Sequence, residues 1–307
     1  SALGLPFDLV AESTGVPLPD KVDPKDRELY FNQPWLNEVQ VGGVALEWNS
    51  ELANEYGLTW LNAWRHYEND SRFDGDFSHY EAVSGAAAVD YDQYSSEFRI
   101  TSPEFENWDW VAGAYLYYSE MDTDGETGML ELLGPLFGFG LILPEGSVNF
   151  DSNTHEASSA ALFGQANWSF AEDWRLTLGA RVTYEEKKRK GSQVTVPESP
   201  IDAPPIAGPS LSLDDQRDET DVSPSVSVTH FLRDDLMVYA SASQGFKSGG
   251  FNQVRTLEGI NGEFDDERSR NYELGWKGSW LDRRLQVNGT LFYVDYDDFQ
   301  AQGFDGT

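Results

Sequence analysis

Residues 160–184 read AALFGQANWSFAEDWRLTLGARVTY. From Trp174, the residues Leu176, Leu178, Ala180, Val182 and Tyr184 share one parity, while Arg175, Thr177, Gly179, Arg181 and Thr183 share the other. A period of two is the signature of a β-strand with one apolar and one polar face. The preceding run repeats it, with Ala160, Leu162, Gly164, Ala166, Trp168 and Phe170 set against Ala161, Phe163, Gln165, Asn167 and Ser169. The tight polar turn Ala171–Asp173 between the runs predicts an antiparallel hairpin. Working outward, Val222, Pro224, Val226 and Val228 alternate with Ser223, Ser225, Ser227 and Thr229. Tyr272, Leu274, Trp276, Gly278 and Trp280 alternate with Glu273, Gly275, Lys277 and Ser279, and Leu285, Val287, Gly289, Leu291 and Tyr293 with Gln286, Asn288, Thr290 and Phe292. Further tight turns centre on Ser50–Tyr56, Pro103–Asn107, Arg233–Asp235 and Asp282–Arg283. The first pair, Val39–Trp48 with Leu58–Tyr67, is less regular, and periodicity does not assign its faces. The whole reads as all-β, with about ten strands in antiparallel hairpins.

Strand length and ring placement separate a soluble sandwich from a membrane barrel. Trp174 to Tyr184 spans about 33 Å, or roughly 23 Å when tilted by about 45°, close to the apolar band of an outer-membrane barrel. Strands of soluble proteins usually run to only about 5–6 residues. Tryptophans flank the tight turns (Trp48, Trp60, Trp108, Trp110, Trp168, Trp174, Trp276 and Trp280), with Trp35 and Trp64 apart. Tyrosines gather at the opposite strand ends: Tyr67, Tyr94, Tyr117, Tyr118, Tyr184, Tyr272, Tyr293 and Tyr296. Amphipathic rings prefer the two membrane–water interfaces, whereas a soluble core has no reason to sort Trp and Tyr to different strand ends. The connections at the tyrosine end are long, about Asp70–Asp90, Asp122–His155, Arg189–Gln216 and Gly249–Arg268. The expected fold is therefore a partial antiparallel transmembrane β-barrel with short periplasmic turns and long extracellular loops. A membrane helix is not expected, since the most apolar run, Gly128–Leu143, is interrupted by Glu131, Gly134, Pro135, Gly138 and Gly140.

Composition narrows function. The 307 residues carry 21 Lys+Arg against 53 Asp+Glu, a formal net charge of -32, and no cysteine. Such a chain repels nucleic-acid phosphate and holds neither disulfides nor thiolate metal sites. A disordered acidic chain has few aromatics, but here there are 10 Trp, 14 Tyr and 18 Phe. Acidic residues crowd two connections, Asp202, Asp214, Asp215, Asp218, Glu219 and Asp221 in one, and Glu258, Glu263, Asp265, Asp266 and Glu267 in the other. Their field favours cations, by divalent bridging to lipopolysaccharide or a cationic ligand, and repels anions.

One candidate metal site emerges. Glu120, Asp122 and Asp124, with Gly125 and then Glu131, approach the calcium-loop pattern D-x-[DN]-x-[DN]-G-x5-E. Glu at the first position and flanking strands in place of helices depart from it. His66, His79, His155 and His230 are scattered without ligand spacing. No catalytic constellation and no cofactor site stands out. Glu97, Arg99, Arg175, Arg181, Glu273 and Lys277 fall on polar parities and are expected to face the lumen as charge ladders across strands.

Several segments resemble the barrel of TonB-dependent receptors. Residues 239–252, YASASQGFKSGGFN, resemble their strand-to-loop segment YxSxSxGFKSGGFN. YELGWK at 272–277, LDRRL at 281–285 and LFYVDYDD at 291–298 resemble the hairpin that follows it. SEFRITS at 96–102, and LFGQ at 162–165 with LGARVTY at 178–184, are similar to further strands of the same family. The resemblance implies a Gram-negative outer-membrane receptor for energised uptake of a scarce ligand, often a ferric siderophore. It implies lipid and lipopolysaccharide around the barrel, an energy-coupling complex acting through a plug, a small-molecule ligand, and no covalent chemistry. Residues 1–307 are expected to be part of one barrel of about 22 strands, without the plug. The alternatives are a passive porin-type channel and a soluble β-sheet carbohydrate-binding protein.

Overall fold

A computed structural model describes residues 25, 33–75, 83–129, 148–196, 210–252 and 262–301. Its strands are β1 Leu36–Glu51, β2 Gly57–Asp74, β3 Val83–Thr101, β4 Trp108–Met129, β5 Val148–Ala171, β6 Trp174–Val196, β7 Leu211–Arg233, β8 Leu236–Lys247, β9 Gly250–Phe251, β10 Glu263–Phe264, β11 Glu267–Trp280 and β12 Leu285–Asp297. Ten of them form one sheet in the order β1-β2-β3-β4-β5-β6-β7-β8-β11-β12, and β9 and β10 pair separately. All neighbours are antiparallel, so the chain is a meander of hairpins interrupted once by the small β9–β10 pair.

The ladder register joins the separate alternations into one face. Residues directly opposite one another project to the same side. Trp48 faces Trp60, Trp60 faces Phe98, Phe98 faces Ala114, Ala114 faces Leu162, Leu162 faces Val182, and Val182 faces Val222. Farther on, Val226 faces Ala242, Ala242 faces Tyr272, and Tyr272 faces Tyr293. The register also settles the first hairpin, putting Val44, Leu46, Trp48, Trp60 and Trp64 on this apolar face.

Among the described residues no hydrophobic core lies behind the sheet. Among the described residues the buried hydrophobics are Ala161 and Phe251, whereas Asp74, Asn149, Arg189, Gln193, Thr195 and Asp221 are buried polar groups. Large apolar side chains stand exposed along the apolar face, Leu162 at 68% and Leu291 at 69%. Burying a Leu or Val contributes about 1.5–3 kcal/mol, so leaving a whole face in water would exceed the usual 5–15 kcal/mol stability of a domain. The sheet needs an apolar solvent on that side, and lipid supplies it.

Two expectations are corrected. The strands are longer than apolar alternation suggests: β4 runs to Met129, β5 begins at Val148, β6 ends at Val196 and β7 begins at Leu211. Much of what reads as loop is thus ladder beyond the bilayer, where both faces are wet and the alternation vanishes. At 24 residues, β5 extends about 80 Å, far more than an apolar band of about 25 Å requires. The tyrosine belt is also narrower than expected. Tyr94, Tyr118, Tyr184, Tyr272 and Tyr293 share the apolar face, but Tyr67, Tyr117 and Tyr296 have the opposite parity, and Trp64 joins the belt opposite Tyr94.

At the other end the tryptophan girdle is as the sequence implies. Trp168 packs with Phe170 at 5.7 Å, Phe170 with Trp174 at 6.1 Å, and Trp174 stacks on His230 at 4.2 Å. The tight turn after β11 is wider than its expected centre. Leu281, Asp282 and Arg283 all take positive φ, and the Leu281 carbonyl accepts from both the Arg284 amide and its Nε.

The two faces are expected to respond oppositely to charge. Leu162→Arg, mid-band on the apolar face, should cost about 2–4 kcal/mol of folding into lipid vesicles. Gln165→Arg on the polar face should cost within about 0.5 kcal/mol. Equal costs in urea titrations of the two variants would contradict the assignment of faces.

Candidate ligand-facing rim on the polar face

All the charged residues expected on the polar side lie there, on the parity opposite Leu162. Arg99 faces Gly113, Gly113 faces Phe163, and Phe163 faces Arg181. Their partners differ from the cross-strand charge ladder anticipated. Glu97 and Arg99 pair at 2.9 Å along a single strand. Arg181 lies over the rings of Tyr115 at 5.3 Å and Phe163 at 5.9 Å, and its Nε donates to Thr183 Oγ1. Arg175 lies over Phe231 at 5.7 Å and Lys277 over Tyr239 at 5.9 Å. Glu273 accepts from the Asn271 amide at 2.8 Å. Aromatic faces thus replace carboxylates as the neighbours of Arg175, Arg181 and Lys277.

The calcium-loop residues do not form a loop. Glu120, Asp122 and Asp124 lie along β4, alternate positions of an extended strand on the apolar-face parity. At about 3.3 Å per residue the first and last are about 13 Å apart, too far for one ion. Asp122 accepts from Thr154 at 2.5 Å and Glu120 from the Tyr118 hydroxyl at 2.8 Å. Glu131 lies outside the described residues, as do His79, Asp202, Glu258 and most of the apolar run 128–143.

Sequence reading missed a dense polar site, which forms where β6 and β7 rise above the tyrosine belt. On the polar parity they present Glu185, Lys187 and Arg189 and, opposite, Asp215, Arg217, Glu219 and Asp221. The segment 248–252, part of the stretch resembling TonB-dependent receptors, folds onto these side chains. Lys187 Nζ donates to Ser248 Oγ at 2.5 Å and the Gly249 carbonyl at 2.8 Å. Ser248 in turn donates to Glu185 at 2.6 Å. Arg189, 2% exposed, pairs with Asp215 at 2.6 Å, donates to the Asn252 carbonyl at 2.9 Å and lies over the Phe251 ring. Arg217 donates to the Phe264 carbonyl at 2.6 Å, pairs with Glu219 and Glu263 at 3.1 Å, and leaves its buried Nε without a partner.

The two glycines of this segment serve close approach. A Cβ on Gly249 would lie 2.4 Å from the Arg217 guanidinium and from the Phe264 carbonyl oxygen. Several of the acidic residues that read as loop clusters are therefore ladder residues with cation partners: Asp215 pairs with Arg189, Glu219 and Glu263 with Arg217, and Asp221 with Arg268. Cross-strand partnership, which decides this, leaves no mark on local periodicity.

Burial shifts two groups here. His155 faces Arg189 across the ladder, and burial, reinforced by the Arg189 charge, lowers its pKa from the ordinary 6.5. Burial raises Glu219, with Arg217 opposing. A concavity of about 720 Å³ lies elsewhere, on the apolar face between Trp64, Tyr94, Leu116 and Tyr118, where lipid would fill it.

The rim makes two predictions. Gly249→Ala and Arg189→Ala should each speed hydrogen exchange at the Asn252 amide, which bonds the Gly262 carbonyl at 2.7 Å, by about tenfold or more, since a charged hydrogen bond contributes about 1.5–3 kcal/mol. Unchanged exchange would mean the segment is held by other contacts. For His155, a depressed folded pKa means the unfolded chain binds the extra proton, so stability is full above about 6.5 and falls as pH drops below it. Protection factors of the β6 rim amides, exchange measured relative to the intrinsic rate at each pH, should fall as pH drops from about 7.5 to about 5.5, and His155→Gln should abolish that fall; an identical pH response in the variant would contradict the assignment.

Comparison with known proteins agrees with this two-faced sheet. The family model "TonB dependent receptor-like, beta-barrel" matches residues 4–307. The pesticin receptor of Yersinia pestis is 29% identical over 147 residues, covering 47% of this chain and 20% of that protein. The ferric-pyoverdine 358 receptor of Pseudomonas putida is 38% identical over 78 residues, 25% of this chain and 9% of its own length. The crystal structure of the ferric yersiniabactin uptake receptor FyuA from Yersinia pestis superposes with a TM-score of 0.69 at 16% identity, over 87% of this chain and 37% of that one. The chain thus spans about a fifth of the pesticin receptor. Members of the family are outer-membrane proteins of Gram-negative bacteria and are not enzymes. Its ladder, its aromatic girdles and this match over nearly all its residues make the chain a member of the TonB-dependent receptor β-barrel family.

Proposed function

We propose that the chain forms part of the wall of an energised outer-membrane receptor that takes up a scarce nutrient, with a ferric siderophore as the ligand class. The observation that carries this reading is the family match to a sheet whose polar face carries charged and aromatic side chains on several adjacent strands. A relative whose name specifies a receptor for ferric pyoverdine supports the ligand class. In this reading the apolar face meets lipid and lipopolysaccharide. Glu97, Arg99, Arg175, Arg181, Glu273 and Lys277 line the lumen and meet a plug, through which the TonB complex delivers energy. The rim on β6 and β7 holds its segment in place near the point of ligand entry. Because Lys187, Arg189 and Arg217 are committed to carboxylates and carbonyls, the remaining field is acidic. It favours a neutral or cationic iron chelate over a strongly anionic one.

Uptake of radiolabelled ferric siderophores of differing charge tests the reading, in iron-starved cells expressing the intact protein. Accumulation should require both a functional TonB and the proton gradient, and should favour chelates of low negative charge. Accumulation that persists without TonB would make the protein a passive channel.

A further inference from the structure

The ladder brings one histidine to two carboxylates that are far from it in sequence. His66 on β2 lies opposite Asp92 on β3, with Asp90 beside them on the same face. His66 Nδ1 is 3.4 Å from Asp92 Oδ1 and 3.7 Å from Asp90 Oδ1, and the ligand atoms of all three lie within 4.8 Å of one another. Charge-assisted hydrogen bonds of this kind run about 2.7–2.9 Å, so both separations are long for direct bonds. They are close to the edge of a coordination tetrahedron: bonds of about 2.0–2.1 Å put neighbouring ligand atoms about 3.3–3.4 Å apart. We propose that His66, Asp90 and Asp92 bind a divalent transition-metal ion of the zinc class on the outward face of the sheet, just beyond the aromatic belt.

Three further observations support the site. Trp64 orients it: its indole N–H donates to Asp92 Oδ1 at 2.7 Å and its ring stacks on His66 at 6.1 Å. Such outer contacts hold metal ligands in place. The charge there is also poorly compensated. Asp92 faces Glu120, Asp90 faces both Glu68 and Asp122, and Glu120 faces Glu156, with Lys188 the next cation along the row. Directly opposed like charges destabilise a ladder, and a divalent ion relieves them. Finally, acid density alone does not generate the geometry, because this is the single such cluster among the described residues of a chain with 53 acids. The imidazole selects against calcium and magnesium, which prefer oxygen-only shells. Three protein ligands leave at least one position open on the lipid-headgroup side, where a water or a phosphate oxygen completes the shell.

Cobalt chloride is the first probe. Added to the intact protein in detergent, Co²⁺ should give a visible ligand-field band that ZnCl₂ abolishes and excess MgCl₂ does not. No band, or displacement by magnesium as readily as by zinc, overturns the proposal in the wild-type protein alone. Equilibrium dialysis against ZnCl₂ in excess MgCl₂ should retain one equivalent. His66→Ala and Asp92→Asn should each weaken zinc binding at least tenfold, while His155→Ala leaves it unchanged. If His66→Ala keeps full zinc binding with native heat-modifiable mobility, the acidic collar condenses cations non-specifically and the site does not exist.

Discussion

The antiparallel ladder register is the constraint on which the rest depends. Side chains alternate with a period of two, so a one-residue slip between any two strands would move every apolar residue of one strand onto the polar side. The register instead carries a single parity from β1 to β12. One side of the sheet therefore meets hydrocarbon along its whole width while the other remains free for charge. From β2 to β11 the backbone groups are satisfied inside the ladder, so lipid can cover the apolar side there without meeting unpaired amides. The aromatic ends then fix depth, with Trp168, Phe170 and Trp174 packed at the short-turn end and Trp64, Tyr94 and Tyr118 at the other.

Above the belt the same ladder works differently. Once β5, β6 and β7 leave the bilayer, both faces are wet and stability comes from pairing charge. Arg189 is 2% exposed because it bonds Asp215, the Asn252 carbonyl and the Phe251 ring together. Lys187 takes the Gly249 carbonyl of the same segment, and Arg217 the Phe264 carbonyl of β10, which pairs with it. Cations whose donors go to backbone oxygens hold a chain segment, not a diffusing anion. The rim is thus a positioning device, and the long strands beneath it set its height above the membrane.

How much of this was legible in the sequence follows from which signals are local. The Trp174–Tyr184 alternation needs no partner to be read, and it established the hairpins, the apolar face and the membrane. The first hairpin is unreadable from periodicity because Gly42, Gly43 and Asn62 break its alternation, and the register that sets Trp48 opposite Trp60 resolves it. The acidic stretch Asp214–Asp221 read as loop because its residues are polar on both parities, yet it is strand. Glu120, Asp122 and Asp124 matched a loop pattern by spacing alone, and the ladder stretches them out. His66 carried no signal until register set it beside Asp92. Sites that depend on which strands are neighbours are invisible to periodicity.

The central claim is that one parity faces lipid and the other water. With no native cysteine in the chain, single cysteines can be placed in turn at each position from 174 to 184 of the intact protein in lipid vesicles. A spin label at each site would report collision with oxygen, which partitions into lipid, and with a water-soluble nickel chelate. The account predicts strict alternation, with oxygen favoured at Leu176, Leu178, Ala180 and Val182 and nickel at Arg175, Thr177, Gly179, Arg181 and Thr183. Uniform accessibility along the strand, or the reverse phase, would contradict it.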